Sequence, residues 1–153
     1  MEKGILLGNR ILDVVFVAWF LAQFYKVISS LITDKKLIVR RFWETGGMPS
    51  SHSSTVTALA TSAGIVYGTG STYFAISIIL AIIVIHDAAG IRRAAGKQAS
   101  VLNQLGATLT KMLDERFNQE RLKELLGHTP VEVFIGTLLG VAVAFGFRFY
   151  LIA

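Results

Sequence analysis

Residues 73–85 read Tyr-Phe-Ala-Ile-Ser-Ile-Ile-Leu-Ala-Ile-Ile-Val-Ile, the most hydrophobic run in the chain. The run has no polar face to turn toward water, so it belongs in lipid or in a fully enclosed core. Residues 11–32 form another long apolar stretch, interrupted by Asp13, Gln23 and Lys26, and residues 130–153 form a further one. At about 1.5 Å of rise per residue, the longer stretches can cross a hydrocarbon layer roughly 30 Å thick. Only 16% of the residues are charged against 53% hydrophobic, less charge than a soluble domain usually carries. The expectation is an all-α integral membrane helical bundle in a single domain, residues 1–153. It has about four transmembrane helices and an amphipathic surface helix.

The first stretch reads as a span rather than a signal peptide, because its apolar run continues past any cleavage point and no small-x-small site precedes a polar start. Residues 33–45 are a basic loop with Lys35, Lys36, Arg40 and Arg41. Residues 50–67 predict a helix rich in Ser, Thr and Ala, suited to packing against helices rather than facing lipid. After a tight turn at 68–72 and the third span, residues 90–127 change character. Leu102, Leu105, Leu109, Met112, Leu113 and Phe117 recur at helical spacing among Arg92, Arg93, Lys97, Lys111, Arg116, Arg121 and Lys123. That pattern suits a helix on the membrane surface or a helical hairpin docked on the bundle. In the last span Gly136, Gly140 and Ala144 lie four apart, a small-residue seam that permits a homodimer. Four crossings put both termini on one side. The basic residues gather on the other, so the positive-inside rule places residues 47–52 on the cytoplasmic face of the cell membrane.

Chemistry concentrates in Gly46-Gly47-Met48-Pro49-Ser50-Ser51-His52-Ser53-Ser54. Two glycines allow a sharp turn, a proline can open a helix at its first position, and the free N–H groups of a helix start attract anions, phosphate above all. His128-Thr129-Pro130-Val131-Glu132 offers a second half. A carboxylate four residues after a histidine shares its helical face, can accept one imidazole N–H and leaves the other nitrogen free to attack. Lys26 and Asp87-Ala88-Ala89-Gly90-Ile91-Arg92-Arg93 flank helix ends on the same side. Each residue also has a structural reading. Thr129 to Glu132 is a capping box, the serines are ordinary N-caps, and Arg92 and Arg93 can anchor the membrane interface. Lys26 can snorkel, Asp87 can pair with an arginine, and His86 reads as structural. The absence of cysteine excludes disulfides and thiolate sites, and the histidines lack metal-ligand spacing, so no metal or cofactor is expected.

Together these residues resemble a known family. Pro49-Ser50-Ser51-His52 resembles the Pro-Ser-Gly-His motif of type 2 phosphatidic acid phosphatases, which are related to vanadium haloperoxidases. The segment from His128 through Glu132 to Gly136 resembles that superfamily's His-x-x-x-Asp segment, with Glu in place of Asp. The chain is similar to a divergent bacterial and plant branch across residues 22–140. The hallmarks of that branch include Asp87 to Arg93, Gly96-Lys97-Gln98-Ala99 and Leu125-Leu126-Gly127-His128-Thr129-Pro130.

The resemblance implies that His128 is the nucleophile, Glu132 its orienting acid and His52 the acid that protonates the leaving group. Ser50, Ser51 and the Gly47 turn would bind phosphate oxygens. The superfamily's Lys…Arg-Pro motif and its Ser-Arg pair are both incomplete here. Lys26 is the candidate lysine, with Lys35, Lys36 and Arg41 behind it, and Arg92 or Arg93 the candidate arginine, with Asp87 and Lys97 supporting. The expected function is hydrolysis of a lipid phosphomonoester, phosphatidylglycerol phosphate or phosphatidate foremost, through a phosphohistidine. The expected partners are this substrate and membrane lipids, not nucleic acid. The alternatives are a non-catalytic lipid-phosphate binder or transporter that keeps the fold and, by fold-level analogy, a vanadate-dependent oxidase.

Overall fold

A computed structural model of the chain describes residues 3–33, 42, 47–113, 122 and 127–153, without the side chains of 30–33, 91–93 and 111–113. Lys35, Lys36, Arg40, Arg41, Gly46, Arg116, Phe117, Arg121, Lys123, Leu125 and Leu126 lie outside the described residues. The elements are α1 (Arg10–Thr33), α2 (Ser51–Tyr67), α3 (Thr72–His86), a π-helical turn (Asp87–Ile91), α4 (Arg92–Leu113), α5 (Pro130–Gly146) and α6 (Arg148–Ile152). The protein is an all-α membrane bundle.

Among α1, α2, α3 and α5, the least hydrophobic helix lies at the centre. Helix α2 packs against α1, α3 and α5. It buries Ser51, Ser53, Ser54, Val56, Thr57, Ala58, Ala60, Ser62 and Ala63. Small side chains let the backbones approach, which is how helices associate in lipid, where a larger apolar side chain gains nothing by turning inward. Helix α3 shows the converse. It is apolar almost all round, yet buries only Ser77 and Ala81, while Tyr73, Ile76, Ile79, Ile82 and Ile83 face outward. Helix α1 presents Phe16, Phe20 and Phe24 outward and encloses Val14, Ala18 and Ala22 completely. A large-outside, small-inside bundle has lipid as its solvent.

Side-chain bonds set the directions. The Ser54 hydroxyl donates to the Ala18 carbonyl (3.1 Å) and the Lys26 ammonium to Ser51 (3.3 Å), so α1 and α2 run antiparallel. The Ser50 amide donates to the Glu132 carbonyl (3.0 Å) and the Thr57 hydroxyl to the Thr137 carbonyl (3.3 Å), so α2 and α5 run parallel from a common level. The seam of α5 makes this contact. A Cβ on Gly140 would collide with the Thr57 hydroxyl and the Ser54 carbonyl, and one on Gly136 with the Ser50 backbone. The seam expected to permit a dimer is therefore used inside the chain, against α2.

Two expected boundaries move. The third span, expected to end before Gly90, runs on into the amphipathic segment: the chain stays helical through Asp87–Ile91, and Thr72–Thr110 is one run long and apolar enough to cross a membrane, as is Arg10–Ser29. The last stretch is not one helix but breaks at Phe147, with α5 a shorter apolar helix. At that end Asp13, which interrupts the first apolar stretch, is nearly fully buried. It accepts the amides of Ile5 (2.7 Å), Leu6 (3.2 Å) and Leu7 (2.7 Å) and the hydroxyl of Tyr150. Backbone donors make the buried carboxylate tolerable and tie the N-terminal lead to the final helix.

Gly140→Leu should force α2 and α5 apart, costing at least about 1–3 kcal/mol, whereas Leu138→Ala on the exposed face should shift stability by roughly 0.5 kcal/mol or less. Thermal unfolding of both variants in detergent measures the difference.

Candidate active site

The site begins where two parallel helices start side by side. Ser50 is the N-cap of α2: its hydroxyl accepts the Ser53 amide (3.3 Å) and the Ser53 hydroxyl (3.1 Å). Its own amide is spent on the Glu132 carbonyl of α5. Only glycine at 136 lets the Ser50 backbone come this close. Pro49 is not the first helical residue, as the sequence suggested. It precedes the cap and follows a cis Met48–Pro49 bond. Gly47 sits at φ 78°, the left-handed region open to glycine at no cost.

His128 enters this junction from the α5 side. It is 3% exposed, and its amide donates to the Ala88 carbonyl of the π turn (2.9 Å). The end of α3 thus holds the start of α5. The His128 Nδ1 lies 3.0 Å from Glu132 Oε2. The same oxygen accepts the Thr129 amide (3.2 Å), while the Thr129 hydroxyl accepts the Glu132 amide (3.3 Å). The two sequence readings of Glu132, helix cap or partner of histidine, are both realised by one carboxylate. Because a carboxylate attracts an N–H, the proton of neutral His128 sits on Nδ1 and the lone pair on Nε2. The ring of His52, half-buried in the first turn of α2, lies 6.0 Å from that of His128, centroid to centroid.

Lys26 completes the cluster from α1. It is 4% exposed, so it does not snorkel to the interface. Its ammonium donates to the Ser51 hydroxyl (3.3 Å) and feels the charge of Glu132 at longer range. A buried cation whose direct partner among the described residues is a neutral hydroxyl favours an anion beside it. The two helix N-termini add their positive dipole ends at the same level.

Other sequence candidates fall differently. Asp87 opens the π turn, half-buried, with its amide on the carbonyls of Ile83 and Val84. Arg92 and Arg93 begin α4 directly after that turn, and their side chains lie outside the described residues. Lys97 is exposed on α4, and its side chain has no ion-pair or hydrogen-bond partner among the described residues. Three features escaped sequence reading. One is the π turn, which has no sequence signature beyond its small residues. Another is the Ala88 carbonyl, since any residue supplies one. The third is Gln23, three residues before Lys26 on the same helical face, 7% exposed and with a carbonyl oxygen that lacks a partner among the described residues. Its signal was an amide inside an apolar run.

Comparisons with known proteins agree with this architecture. A family model described as "Divergent PAP2 family" matches residues 7–143. An "Uncharacterized membrane protein YuiD" of Bacillus subtilis (strain 168) is 43% identical over 145 residues, covering 89% of this chain and 92% of that protein. No solved structure matches. The chain belongs to the divergent PAP2 family.

Gly136→Ala tests the junction. Its methyl group should lift Ser50 off α5 and break the bond to Glu132, at a cost of about 1–3 kcal/mol. Hydrogen exchange should then accelerate at the Ser50 amide, with amides in the middle of α1 little changed.

Proposed function

We propose that this PAP2-related membrane protein is a lipid-phosphate phosphatase that hydrolyses a phosphomonoester through a phosphohistidine. The observation that carries the reading is His128, held through Nδ1 by Glu132 at 3.0 Å, beside His52 and the buried Lys26–Ser51 pair. In this reading Nε2 of His128 attacks phosphorus in line and the bond from phosphorus to the alcohol oxygen breaks. His52 gives its proton to that oxygen, and Glu132 stabilises the positive ring. His52, now a base, takes a proton from water, which attacks the phosphohistidine and releases inorganic phosphate. Lys26, Ser50, Ser51, the backbone after Gly47 and the two helix N-termini neutralise the phosphoryl oxygens, whose charge must be stabilised in the transition state. Arg92 and Arg93, at the start of α4, are assigned to the same oxygens in place of the missing Ser-Arg pair, with Asp87 supporting them. Lys97, exposed further along α4, is read as a supporting cation.

The protein is read as a multi-pass protein of the cell membrane with its site toward the cytoplasm. Charge asymmetry supports that orientation and favours lipids made on that leaflet, phosphatidylglycerol phosphate or phosphatidate, over an undecaprenyl pyrophosphate carrier. One observation favours a second reading: Lys26 has no Arg-Pro after it, and His128 has no Ser-Arg before it. A chain short of those cations can bind a lipid phosphate without turning it over.

Phosphate release from these lipids by purified protein decides between the two. His52→Ala should slow turnover by roughly a hundred- to ten-thousandfold, and His128→Ala should abolish both turnover and acid-labile phosphorylation of the protein. Full activity in His128→Ala would overturn the mechanism, and binding without release from any ester would favour the second reading. A reporter fused at the C-terminus should be extracytoplasmic.

A further inference from the structure

The outer face of the α3–π junction carries an open groove of about 460 Å³ lined by Ile82, Ile85, His86, Ala89 and Gly90. Its walls are apolar apart from the His86 ring. The spacing of these residues keeps them on one side of the helical run. Ile78 and Ile79, exposed one turn earlier, continue the same stripe toward the middle of α3. Ala89 and Gly90 leave the groove open because they have little or no side chain, and a Cβ on Gly90 would meet nothing nearer than His86 Cε1 at 3.9 Å.

The position of this groove gives it meaning. Ala88, which precedes Ala89, accepts the amide of His128. The groove therefore begins at the depth of His128 and lies about a quarter turn around the helix from that contact. From there it descends along α3 into the part of the bundle whose solvent is lipid. For an amphiphile with its phosphate at His128, this groove is an apolar path from that depth toward the lipid.

We propose that the groove seats an acyl chain of the lipid substrate, with the tail leaving the site past Ala89 and Gly90 and running down Ile85 and Ile82. His86 stands at the headgroup end, where a polar ring meets the interface. This assignment rests on the reading of the His128 cluster as the seat of the phosphate. It gives the π turn two tasks, holding His128 through the Ala88 carbonyl and seating the tail on the adjoining face. Recognition of the chain is by apolar contact, so it selects for tail length and bulk near the headgroup rather than for a chemical group.

The test uses phosphatidate carrying a diazirine in one acyl chain, irradiated with the full-length protein in nanodiscs, beside phosphatidylcholine bearing the same chain. Phosphatidate should label Ile82, Ile85 or Ala89, unlabelled phosphatidate should compete, and phosphatidylcholine should not label these positions. Equal labelling by both lipids, or labelling confined to the outer faces of α1 and α5 at residues such as Phe24 and Phe134, would overturn the proposal. A second measurement fills the groove with Gly90→Leu. The ratio of kcat/KM for dioleoyl to dihexanoyl phosphatidate should fall by about tenfold, the weight of roughly two buried methylene groups. An unchanged ratio overturns the groove. If the wild type releases no phosphate, the phosphatase reading fails by itself, and crosslinking still decides where the tail lies.

Discussion

The contact on which the rest depends is the approach of Ser50 to the first turn of α5. One backbone hydrogen bond, Ser50 N–H to the Glu132 carbonyl, sets the starts of α2 and α5 at the same depth. It is possible because Gly136 and Gly140 have no side chain to hold the backbones apart. Parallel helices starting together put two positive dipole ends at one place. The serine cap, His52, His128 and Glu132 all ride on those two starts, so their mutual geometry is only as good as this packing. Helix α1 delivers Lys26 to the same level, and the π turn after α3 delivers the Ala88 carbonyl that holds His128.

The lipid environment explains why such a junction is built from small and polar residues. In water the driving force would turn Ile, Phe and Leu inward. In a bilayer those residues are equally comfortable facing out, and packing, hydrogen bonding and close backbone contact decide what goes in. Buried hydroxyls are then structural as well as chemical. Ser54 bonds α1, Thr57 bonds α5, and Ser50 caps its own helix. The same economy appears in Glu132, whose carboxylate satisfies a helix terminus while it orients a histidine. At the opposite end Asp13 joins the lead, α1 and α6 by accepting backbone amides and a tyrosine hydroxyl. Ser50, Thr57, Asp13 and Glu132 each close several contacts at once, as expected where an unpaired group costs several kcal/mol.

Much of the candidate site was legible because its elements announce themselves locally. A carboxylate four residues after His128 must share its face if the segment is helical, and Thr129-Pro130 before Glu132 says that it is. Ser50 before an Ala- and Ser-rich run is a helix start. Less legible were features that depend on a neighbour. Pro49 resembles a first helical residue, but the cap falls on Ser50, because the serine hydroxyl finds the Ser53 amide. The glycine seam resembles a dimer interface, since sequence spacing does not say which helix fills a groove. Gly90 resembles the end of a span, yet backbone bonding continues through a π turn.

By itself the sequence determined the solvent, the helical class and the local chemistry of each motif, because apolar run length, capping residues and i,i+4 spacing act within a few turns of one helix. The sequence also marked the Ser-, Thr- and Ala-rich α2 for packing against other helices, but only the tertiary structure decided that α1, α3 and α5 all pack on it. It also decided that α2 and α5 run parallel and in register, that Lys26 is buried against Ser51, and that Ala88 holds His128. Those outcomes depend on which backbones can approach closely, and that is a property of two surfaces together rather than of either stretch alone.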